Sequence, residues 1–533
     1  MMNTLNKFAF FLFLLAFSLS TYAASEAEYK KMSKSYTLHA DGSQEFRSSM
    51  ELTLFTHTAM NGTYGESFIV YNPDFQELKI HSSYTKQKDG TIVKTPENAF
   101  VEVLPRNAAD APAFNQLKEM VVVHTGLELG ATIYLDYSIY TKPGYYAGLD
   151  IMERLEESSP VKEYMVSISV PEDKSLRWQL YGANAKANES RLEGMKKLSW
   201  TLKNIPAFSR ESFQPGNKEN VPCLVASTYP TIEDALTALR NSFEKAEAYE
   251  TKAFAESLVE NAADDKEKIE IIRKHVVRNV GTCGVPLDQT GYRVRNSDDV
   301  LRSAYGTVAE KTNLLHTMLN AAGIQSEIVA IYPGTIEGDA CGLKAIKELV
   351  VKVSSNGKDE YLSAVSLTEP SVRYRGELDK FFTLAGKELK VAAIPVIIEE
   401  KKEVSVDASK KANGYVVCKL PASDKGIDGW HIHSLNSKRS GIFEIPSMIQ
   451  ETVTYTITPQ EGLELQTPLT PLQTSNPFGK VTRTISRKGN TIEVVRSIEL
   501  NRQQFTPAEY KDVRALLVEW MNPNHSLLLF SAE

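Results

Sequence analysis

The chain has 533 residues, of which 42% are hydrophobic and 24% are charged, as in a folded globular protein rather than a disordered one. Its length is sufficient for about three domains of ordinary size. The 60 basic and 67 acidic residues give a net charge of −7 and are spread along the chain, so no basic stripe favours nucleic acid as a partner.

The first 24 residues have the pattern of a secretory signal peptide. Lys7 gives a positive start, residues 8–19 form an apolar run, and small residues at 23–25 offer a cleavage site. The apolar run is too short to cross a membrane comfortably. We therefore expect an exported protein, periplasmic or extracellular, with no transmembrane span.

Residues 25–229 are predicted to form an N-terminal β-sandwich domain. Short strands separated by turns such as Asp41-Gly42 and Asp89-Gly90 are typical of that architecture. Apolar residues at every second position mark one half-buried strand: Ile133, Leu135, Tyr137 and Ile139. Residues 142–146, with two adjacent tyrosines, are predicted to be an exposed aromatic loop that either contacts a ligand or covers the end of the sandwich.

Residues 230–395 change to a mixed pattern of helices and strands. Helices are predicted after Thr231 and over 265–280, because apolar residues recur there at helical spacing. Strands are predicted over the segments 325–332, 348–354 and 360–365. Together they indicate a central α+β domain.

A helix is predicted to begin at position 308. Thr307 and Glu310 have the spacing of a capping box, and Gly323 is a candidate C-cap. A cysteine at position 308 would lie at the positive end of the helix dipole, where the thiolate is favoured. The residue there is Val308, which cannot act as a nucleophile.

A β-hairpin is predicted to follow, with Asn356-Gly357 as its two-residue turn. If Ser355 pairs with Lys358, Glu348 lies opposite Val365, and Glu348 and Ser363 are diagonal neighbours on one face. The other face carries the residues predicted to enter the core: Leu349, Val351, Val353, Leu362 and Ala364.

Residues 396–533 are predicted to form a C-terminal β-domain with a helix attached. The charged residues 399–411 are predicted to be a linker or an exposed turn. Thr506 to Glu509 has the pattern of a capping box, and the helix is predicted to run to about Trp520. His431 and His433 are predicted to alternate on a strand, but no third ligand is recognisable, so no metal is expected.

The helix at 308 and the hairpin after it resemble the signature of the transglutaminase-like superfamily. There the helix reads approximately Gly-x-Cys-x-Asp/Glu-Lys-x-x-Leu-Leu, a histidine opens the next strand, and an aspartate lies on the returning strand. The resemblance implies a papain-like α+β core and cysteine chemistry on acyl groups. It also implies that the cysteine, histidine and aspartate positions are Val308, Glu348 and Ser363.

The three-part layout is similar to that of a bacterial exported family with an N-terminal β-domain, a transglutaminase-like core and a C-terminal β-domain. The chain is therefore interpreted as a catalytically degenerate member. It is expected to bind a peptide, a protein or a cell-envelope glycan, with no cofactor. A role in which the two β-domains bind and the core acts as a spacer remains open.

Two other side chains are candidate nucleophiles. Thr307 has a hydroxyl, although capping is its ordinary role. Cys283, in a loop with glycine on both sides, is the alternative nucleophile of a cysteine protease or acyl-transfer enzyme, and it would need His275 or His316 within hydrogen-bond reach. His316 is otherwise predicted to be a packed or surface histidine.

The four cysteines are widely spaced, at Cys223, Cys283, Cys341 and Cys418, and no Cys-x-x-Cys pair occurs. Export permits disulfides, and Cys283 could pair with Cys341. Buried free thiols are the alternative.

Overall fold

The computed structural model describes residues 25–209, 211–215, 222–243, 247–334, 340–355, 357–367, 378–410, 413–432 and 435–532. The predicted signal peptide and His433 lie outside these residues. The described chain forms two compact units. Of the described residues, the first unit contains 25–209, 222–229 and Cys283–Tyr292, and the second contains those in the ranges 211–215, 230–282 and 293–532.

The described residues of the first unit form fourteen β-strands. These are β1 Ala27–Leu38, β2 Gln44–Leu54, β3 Glu66–Tyr71, β4 Gln76–Lys86, β5 Ile92–Lys94, β6 Phe100–Val103, β7 Lys118–Val123, β8 Thr132–Thr141, β9 Asp150–Arg154, β10 Val161–Pro171, β11 Arg177–Tyr181, β12 Asn188–Leu192, β13 Met195–Ile205 and β14 Cys223–Ser227. They build one eight-stranded sheet of order β12-β13-β10-β1-β2-β8-β4-β5 and two three-stranded sheets, β11-β14-β9 and β3-β7-β6.

Both small sheets of the first unit pack on the large one. Ile69 of β3 and Val122 of β7 are buried against Leu135 of β8. Elsewhere Ile151 and Leu224 of the β11-β14-β9 sheet join the main core of this unit. Packing of sheet on sheet follows from strands whose side chains alternate between buried and exposed.

The prediction of an exposed loop at residues 142–146 is wrong for Tyr145. This side chain is 3% exposed, stacks on Phe75 with ring centroids 4.8 Å apart, and donates a hydrogen bond of 2.7 Å to the carbonyl of Gln289. Gln289 belongs to the segment Cys283–Tyr292, which comes from the middle of the chain. The ring is buried because a segment distant in sequence covers it, and a local pattern does not contain that information.

The described residues of the second unit form seven α-helices and seventeen strands. The helices are α1 Ile232–Phe243, α2 Tyr249–Leu258, α3 Asp265–Asn279, α4 Ser297–Ser303, α5 Val308–Ala321, α6 Gly426–Gly429 and α7 Tyr510–Trp520. The strands are β15 Gly281–Thr282, β16 Tyr305–Gly306, β17 Ser326–Pro333, β18 Glu348–Ser355, β19 Lys358–Leu362, β20 Asp379–Thr383, β21 Glu388–Leu389, β22 Val396–Val406, β23 Tyr415–Lys419, β24 Phe443–Glu444, β25 Ile449–Pro459, β26 Leu463–Leu465, β27 Leu472–Asn476, β28 Gly479–Lys488, β29 Thr491–Leu500, β30 Gln504–Phe505 and β31 Leu527–Ala532.

A five-stranded sheet of order β19-β18-β17-β20-β21 forms the centre of the region 230–395. Val351 and Val353 of β18 pack against α3 and α5 in one apolar cluster. Val350 points to the opposite face, where it joins a second cluster with Phe381. The sheet therefore has a core on each face, and α5 lies against one of them.

The region after residue 395 has a core of its own, in which α7 packs on a five-stranded sheet of order β22-β25-β29-β28-β27. The prediction of a linker at residues 399–411 is wrong, because most of it belongs to β22. Ile398, Val404 and Val406 of β22 pack toward this core, while exposed positions alternate with them. The strand pairs in parallel with β25, and this long-range pairing holds its charged outer face in an extended conformation.

Three further predictions about local structure need correction. The strand expected over 360–365 ends at Leu362, and the C-terminal helix begins at Tyr510, after a turn in which the Thr506 amide donates to Glu509 Oε2 at 2.9 Å. His431 lies in the turn after α6 with φ of +54°, and not on a strand. The short α6 ends at Gly429, and the alternation of residues in the sequence does not indicate the turn that follows it.

All four cysteines are free, buried thiols. The pairing of Cys283 with Cys341 is therefore not present, and the alternative of buried free thiols is what the structure has. In the described part of the chain, no helix is long and apolar enough to cross a membrane.

Candidate functional site

The candidate site is the beginning of α5. The Thr307 amide donates to Glu310 Oε2 at 2.8 Å, and the Glu310 amide donates to Thr307 Oγ1 at 3.3 Å, which confirms the capping box. Val308 is the first residue of the helix and is 38% exposed. A solvent-accessible aliphatic side chain therefore occupies the position where the helix dipole would favour an anion.

Glu310 also forms the main ion pair of the site. Its side chain is 1% exposed and accepts a 2.9 Å hydrogen bond from Arg295 Nε. The Arg295 guanidinium donates to the carbonyl of Tyr305 at 2.8 Å and lies 4.7 Å from the centre of the Tyr305 ring. One carboxylate thus completes the helix cap and holds the loop that precedes the helix.

Lys311 fastens the same helix turn to the short strand β15. Its ammonium donates to the carbonyl of Val280 at 2.6 Å and to Thr282 Oγ1 at 2.9 Å. Lys311 is 1% exposed, and burial lowers its pKa because desolvation disfavours the charged form. β15 pairs in parallel with β16, which leads directly into Thr307, so the helix start is fixed from two sides.

The hairpin has the predicted register. Ser355 pairs with Lys358 and Val351 with Leu362. Glu348 opens β18 opposite Ile331, and it is half-buried. Because β19 ends at Leu362, Ser363 lies just beyond the strand, where its hydroxyl accepts a 3.3 Å hydrogen bond from the Val365 amide.

One side chain links the helix start to the beginning of β18. The Thr312 hydroxyl lies 2.8 Å from the carbonyl of Val308 and 3.3 Å from the carbonyl of Leu349. Leu349 follows Glu348 directly, so the first turn of α5 and the first residues of β18 share a hydrogen-bonding group. The residues at 308 and 348 are thereby brought to the same end of the central sheet.

Cys283 has a different environment. It belongs to the first unit, is 7% exposed, and its thiol lies 3.5 Å from the carbonyl of Asn107. His275 lies 4.9 Å from the Phe254 ring between centroids, and His316 Nδ1 lies 2.9 Å from Ser326 Oγ. None of these contacts joins the thiol to an imidazole.

In the part of the chain that the structure describes, no group of three or more His, Cys, Asp or Glu side chains is placed to hold a metal ion. His431 lies in that part and His433 does not.

The roles of Arg295 and Lys311 were missed by sequence reasoning. Two elements, α4 and β16, separate Arg295 from Glu310 in the sequence. Lys311 donates to the carbonyl of Val280, which lies just before the loop that contains Cys283. The pattern of Glu310 and Lys311 beside a capping box was visible in the sequence. Nothing local identified their partners.

Two domain models match the chain. DUF3857, a domain of unknown function with a solved structure, matches residues 40–209, and DUF3858, described in the same words, matches residues 415–530. The crystal structure of a "putative protease" from Parabacteroides distasonis ATCC 8503 is 62% identical, with a TM-score of 0.90 over 96% of this chain and 100% of that chain.

Other solved structures are much less similar. A "putative cysteine protease" from Cytophaga hutchinsonii is 11% identical over 45% of this chain and 84% of that chain, with a TM-score of 0.20. An M1 zinc metallopeptidase from Deinococcus radiodurans is 12% identical over 38% of this chain and 42% of that chain, with a TM-score of 0.19. With TM-scores of 0.20 and 0.19, neither similarity supports a conclusion about this chain. A comparison with curated proteins gives no match.

Proposed function

The chain belongs to the family of the Parabacteroides distasonis protein, and from this premise we propose that it is an exported, non-catalytic protein with a transglutaminase-like core. It binds a peptide, a protein or a cell-envelope ligand without cleaving it. The proposed organisation is a signal peptide over 1–24, a β-domain over 25–229, the core over 230–395 and a β-domain over 396–533. The mature protein acts in the periplasm or outside the cell.

The observation that carries this proposal is Val308 at the first position of a fully capped helix. Acyl transfer through a covalent intermediate needs a nucleophile, and an isopropyl group has no lone pair to donate. The partner positions Glu348 and Ser363 offer a carboxylate and a hydroxyl. A base without a nucleophile to activate does not produce turnover, whereas the scaffold that positions these residues can still bind a ligand.

The Parabacteroides protein is described as a "putative protease", and protease activity in this chain is the competing proposal. Cys283 would then be the nucleophile. The carbonyl of Asn107, 3.5 Å from its thiol, is a hydrogen-bond acceptor but not a general base. Cys283 therefore stays the alternative nucleophile, and the first experiment below tests it directly.

The first experiment uses the wild-type mature chain. It is incubated with a casein peptide pool and with a peptide acyloxymethyl ketone, which labels activated thiols. We expect no cleavage and no adduct by mass spectrometry. Peptide cleavage that disappears in Cys283→Ser would contradict the proposal and establish the relocated nucleophile.

The second experiment tests the helix start directly. In Val308→Cys the new thiol would lie at the positive end of α5, so we expect its pKa to fall from about 8.5 to about 7, measured by the pH dependence of alkylation with iodoacetamide. Val518→Cys is the matched control, because Val518 is 41% exposed but lies in the last turn of α7. Equal pKa values for the two thiols would contradict the proposed anion-favouring position.

A further inference from the structure

The sheet of β3, β7 and β6 in the first unit has an exposed apolar face. Phe68 of β3 is 58% exposed, and Val101 and Val103 of β6 are 43% and 39% exposed. The strand register aligns Phe68, Val121 and Val101 in one row across the three strands. This surface, here called the outer face, consists of eight residues that point away from the core: Glu66, Phe68, Val70, Val101, Val103, Glu119, Val121 and Val123.

These strands are apolar on both sides. Ile69 and Val122 point to the inner side, where they pack on Leu135 of the large sheet. An antiparallel sheet with one face in water normally alternates apolar and polar residues, whereas strands that are covered on both faces have continuous apolar runs. Residues 120–123 of β7 are such a run, Met-Val-Val-Val. The outer face therefore has the composition of a covered surface, although Phe68 is more than half exposed.

The size of the outer face fits one helix. Its three strands span about 10 Å, because neighbouring strands lie about 4.8 Å apart. β3 and β7 have six residues each, which gives a length of about 20 Å. A helix of about 13 residues has the same length and a similar width. The flat area of about 200 Å² is about a quarter of what each partner of a stable complex buries, so it suits a short segment rather than a second copy of the folded chain.

The charges on the outer face determine which helix it fits. Glu119 lies between Val70 and Val103 in one cross-strand row, and Glu66 is the first residue of β3. Neither carboxylate forms an ion pair within the described part of the chain. Covering a carboxylate is costly unless a cation pairs with it, so the partner needs lysine or arginine beside its apolar residues. The same carboxylates disfavour an anionic membrane surface.

An extended peptide fits the outer face less well. In the order β3-β7-β6, the free edges belong to β3 and β6. A peptide strand would add to one of these edges through backbone hydrogen bonds and would leave the outer face in water. A helix that lies across the three strands covers Phe68, Val121 and Val101 together, and burial of apolar surface is the main driving force for such an association.

We propose that the outer face binds one amphipathic helix of a partner protein, in which lysine or arginine residues flank an apolar stripe. Phe68, Val121 and Val101 contact the stripe, and Glu66 and Glu119 pair with the flanking cations. The surface belongs to the first unit, so this proposal goes beyond the ligand binding proposed for the core and does not depend on it.

The probe is the synthetic peptide LKKLLKLLKKLLKL, which as a helix has leucine on one face and lysine on the other. With a fluorescein label, its anisotropy is measured against the full mature chain, and we expect saturable binding. The same peptide with glutamate in place of lysine should bind about tenfold more weakly or worse, because its charges match those of the outer face. The alternating peptide LKLKLKLKLKLKLK, which has the period of a strand, should also bind more weakly.

Variants of the chain test where the lysine peptide binds. Phe68→Ser and Val101→Ser should each weaken binding about fivefold or more, because each removes apolar contact area. Glu119→Gln should weaken it about threefold, since it removes one ion pair. Leu192→Ser is the matched control and should leave binding unchanged, because Leu192 is 74% exposed but lies on β12, an edge strand of the large sheet.

The comparison of peptides uses the wild-type chain and is decisive even if a variant fails to fold. Absence of binding to the lysine peptide at submillimolar concentration would overturn the proposal, as would equal binding of the glutamate peptide or a preference for the alternating one. Unchanged binding in both folded serine variants would place the peptide elsewhere and would have the same consequence.

Two further measurements address the other occupants of the outer face. We expect no cosedimentation of the chain with vesicles of phosphatidylcholine and phosphatidylglycerol, and no dimer in sedimentation velocity. Vesicle binding that Phe68→Ser abolishes would assign the outer face to a membrane and overturn the helix. A dimer that Phe68→Ser dissociates would assign it to a second copy of the chain and would also overturn the proposal.

Discussion

At the scale of single residues, Glu310 has the largest structural role near the candidate site. It caps α5, pairs with Arg295, and is almost completely removed from solvent. Gly306 leaves the space that this arrangement needs, because a Cβ there would lie 3.1 Å from Glu310 Cβ and 3.0 Å from Val300. The helix start is therefore a tightly packed unit, whatever the residue at position 308 does.

Glu310→Ala is expected to lower the free energy of unfolding by about 3–5 kcal/mol, because it leaves Arg295 without its buried partner. Glu310→Gln keeps an acceptor for the Thr307 amide and should cost less. The exposed pair of Glu250 and Arg302 provides the comparison, since Glu250→Ala should cost at most about 1 kcal/mol. Denaturant unfolding measures all three, and equal losses for Glu310→Ala and Glu250→Ala would contradict the role assigned to burial.

A second residue-scale prediction concerns Glu451, which is 1% exposed in the C-terminal core. One carboxylate oxygen accepts a 2.9 Å hydrogen bond from the Ile427 amide, and the other has no partner among the described residues. Burial raises the pKa of Glu451 to about 7, and the nearby Asp428 and Glu400 act in the same direction. The Ile427 amide and Arg496 oppose the shift without cancelling it.

The folded-state pKa of Glu451 lies above its unfolded value of about 4.3, so the folded protein binds this proton more tightly. The favourable contribution is complete below about pH 4 and disappears as the pH rises to about 7. Glu451→Gln should therefore be more stable than the wild type at pH 8, by about 2–4 kcal/mol, and nearly equal at pH 4. The exposed Glu464→Gln is the control, and a pH-independent difference for Glu451→Gln would refute the titration.

At the scale of elements, local patterns predicted most helices and strands in the right place. The half-buried strand found from alternation is β8, and the hairpin of β18 and β19 has the predicted register. The alternation along β8 and the turn of the hairpin both depend on residues that are close in the sequence. The largest difference is β22, whose glutamates and lysines at 399–403 were interpreted as a charged linker, although exposed and part-buried positions alternate there. Its pairing with β25 makes it a strand.

Gly479 is predicted to determine how closely β28 and β29 approach. A Cβ at this position would lie 1.9 Å from the carbonyl oxygen of Glu499, where backbone cannot move aside easily. Gly479→Ala should lower the free energy of unfolding by about 3 kcal/mol or more. Gly489→Ala, in the open turn between the same strands with φ of +61°, should cost only about 1–2 kcal/mol. Comparable losses in the two variants would show that the close approach is not limiting.

At the scale of the whole molecule, the chain is a strand-rich multidomain protein whose units do not follow chain order. The segment Cys283–Tyr292 leaves the central region and belongs to the first unit, and residues 211–215 belong with the second. Glu211 accepts a 2.7 Å hydrogen bond from the Gly441 amide, which ties that segment to the C-terminal region. Chain length led us to expect about three domains, and neither length nor composition indicates these exchanges between the two units.

The state of the four cysteines provides a prediction for the whole molecule. Since all are free and buried, native protein should react slowly with Ellman's reagent, and protein unfolded without reductant should release four equivalents. Dithiothreitol should leave the midpoint of unfolding unchanged. Two equivalents after unfolding would demonstrate a disulfide in the protein as isolated.

The sequence by itself determined the features that depend on residues a few positions apart: the capping box of Thr307 and Glu310, the register of the hairpin, and the absence of a nucleophile at position 308. Hydrogen bonds within one turn and alternation along one strand are short-range, so they can be predicted locally. Only the tertiary structure shows which groups Arg295 and Lys311 bind and that Tyr145 is buried. The exposure of the outer face is likewise visible only there. Those features depend on contacts between distant segments, whose pairing is decided when the whole chain packs.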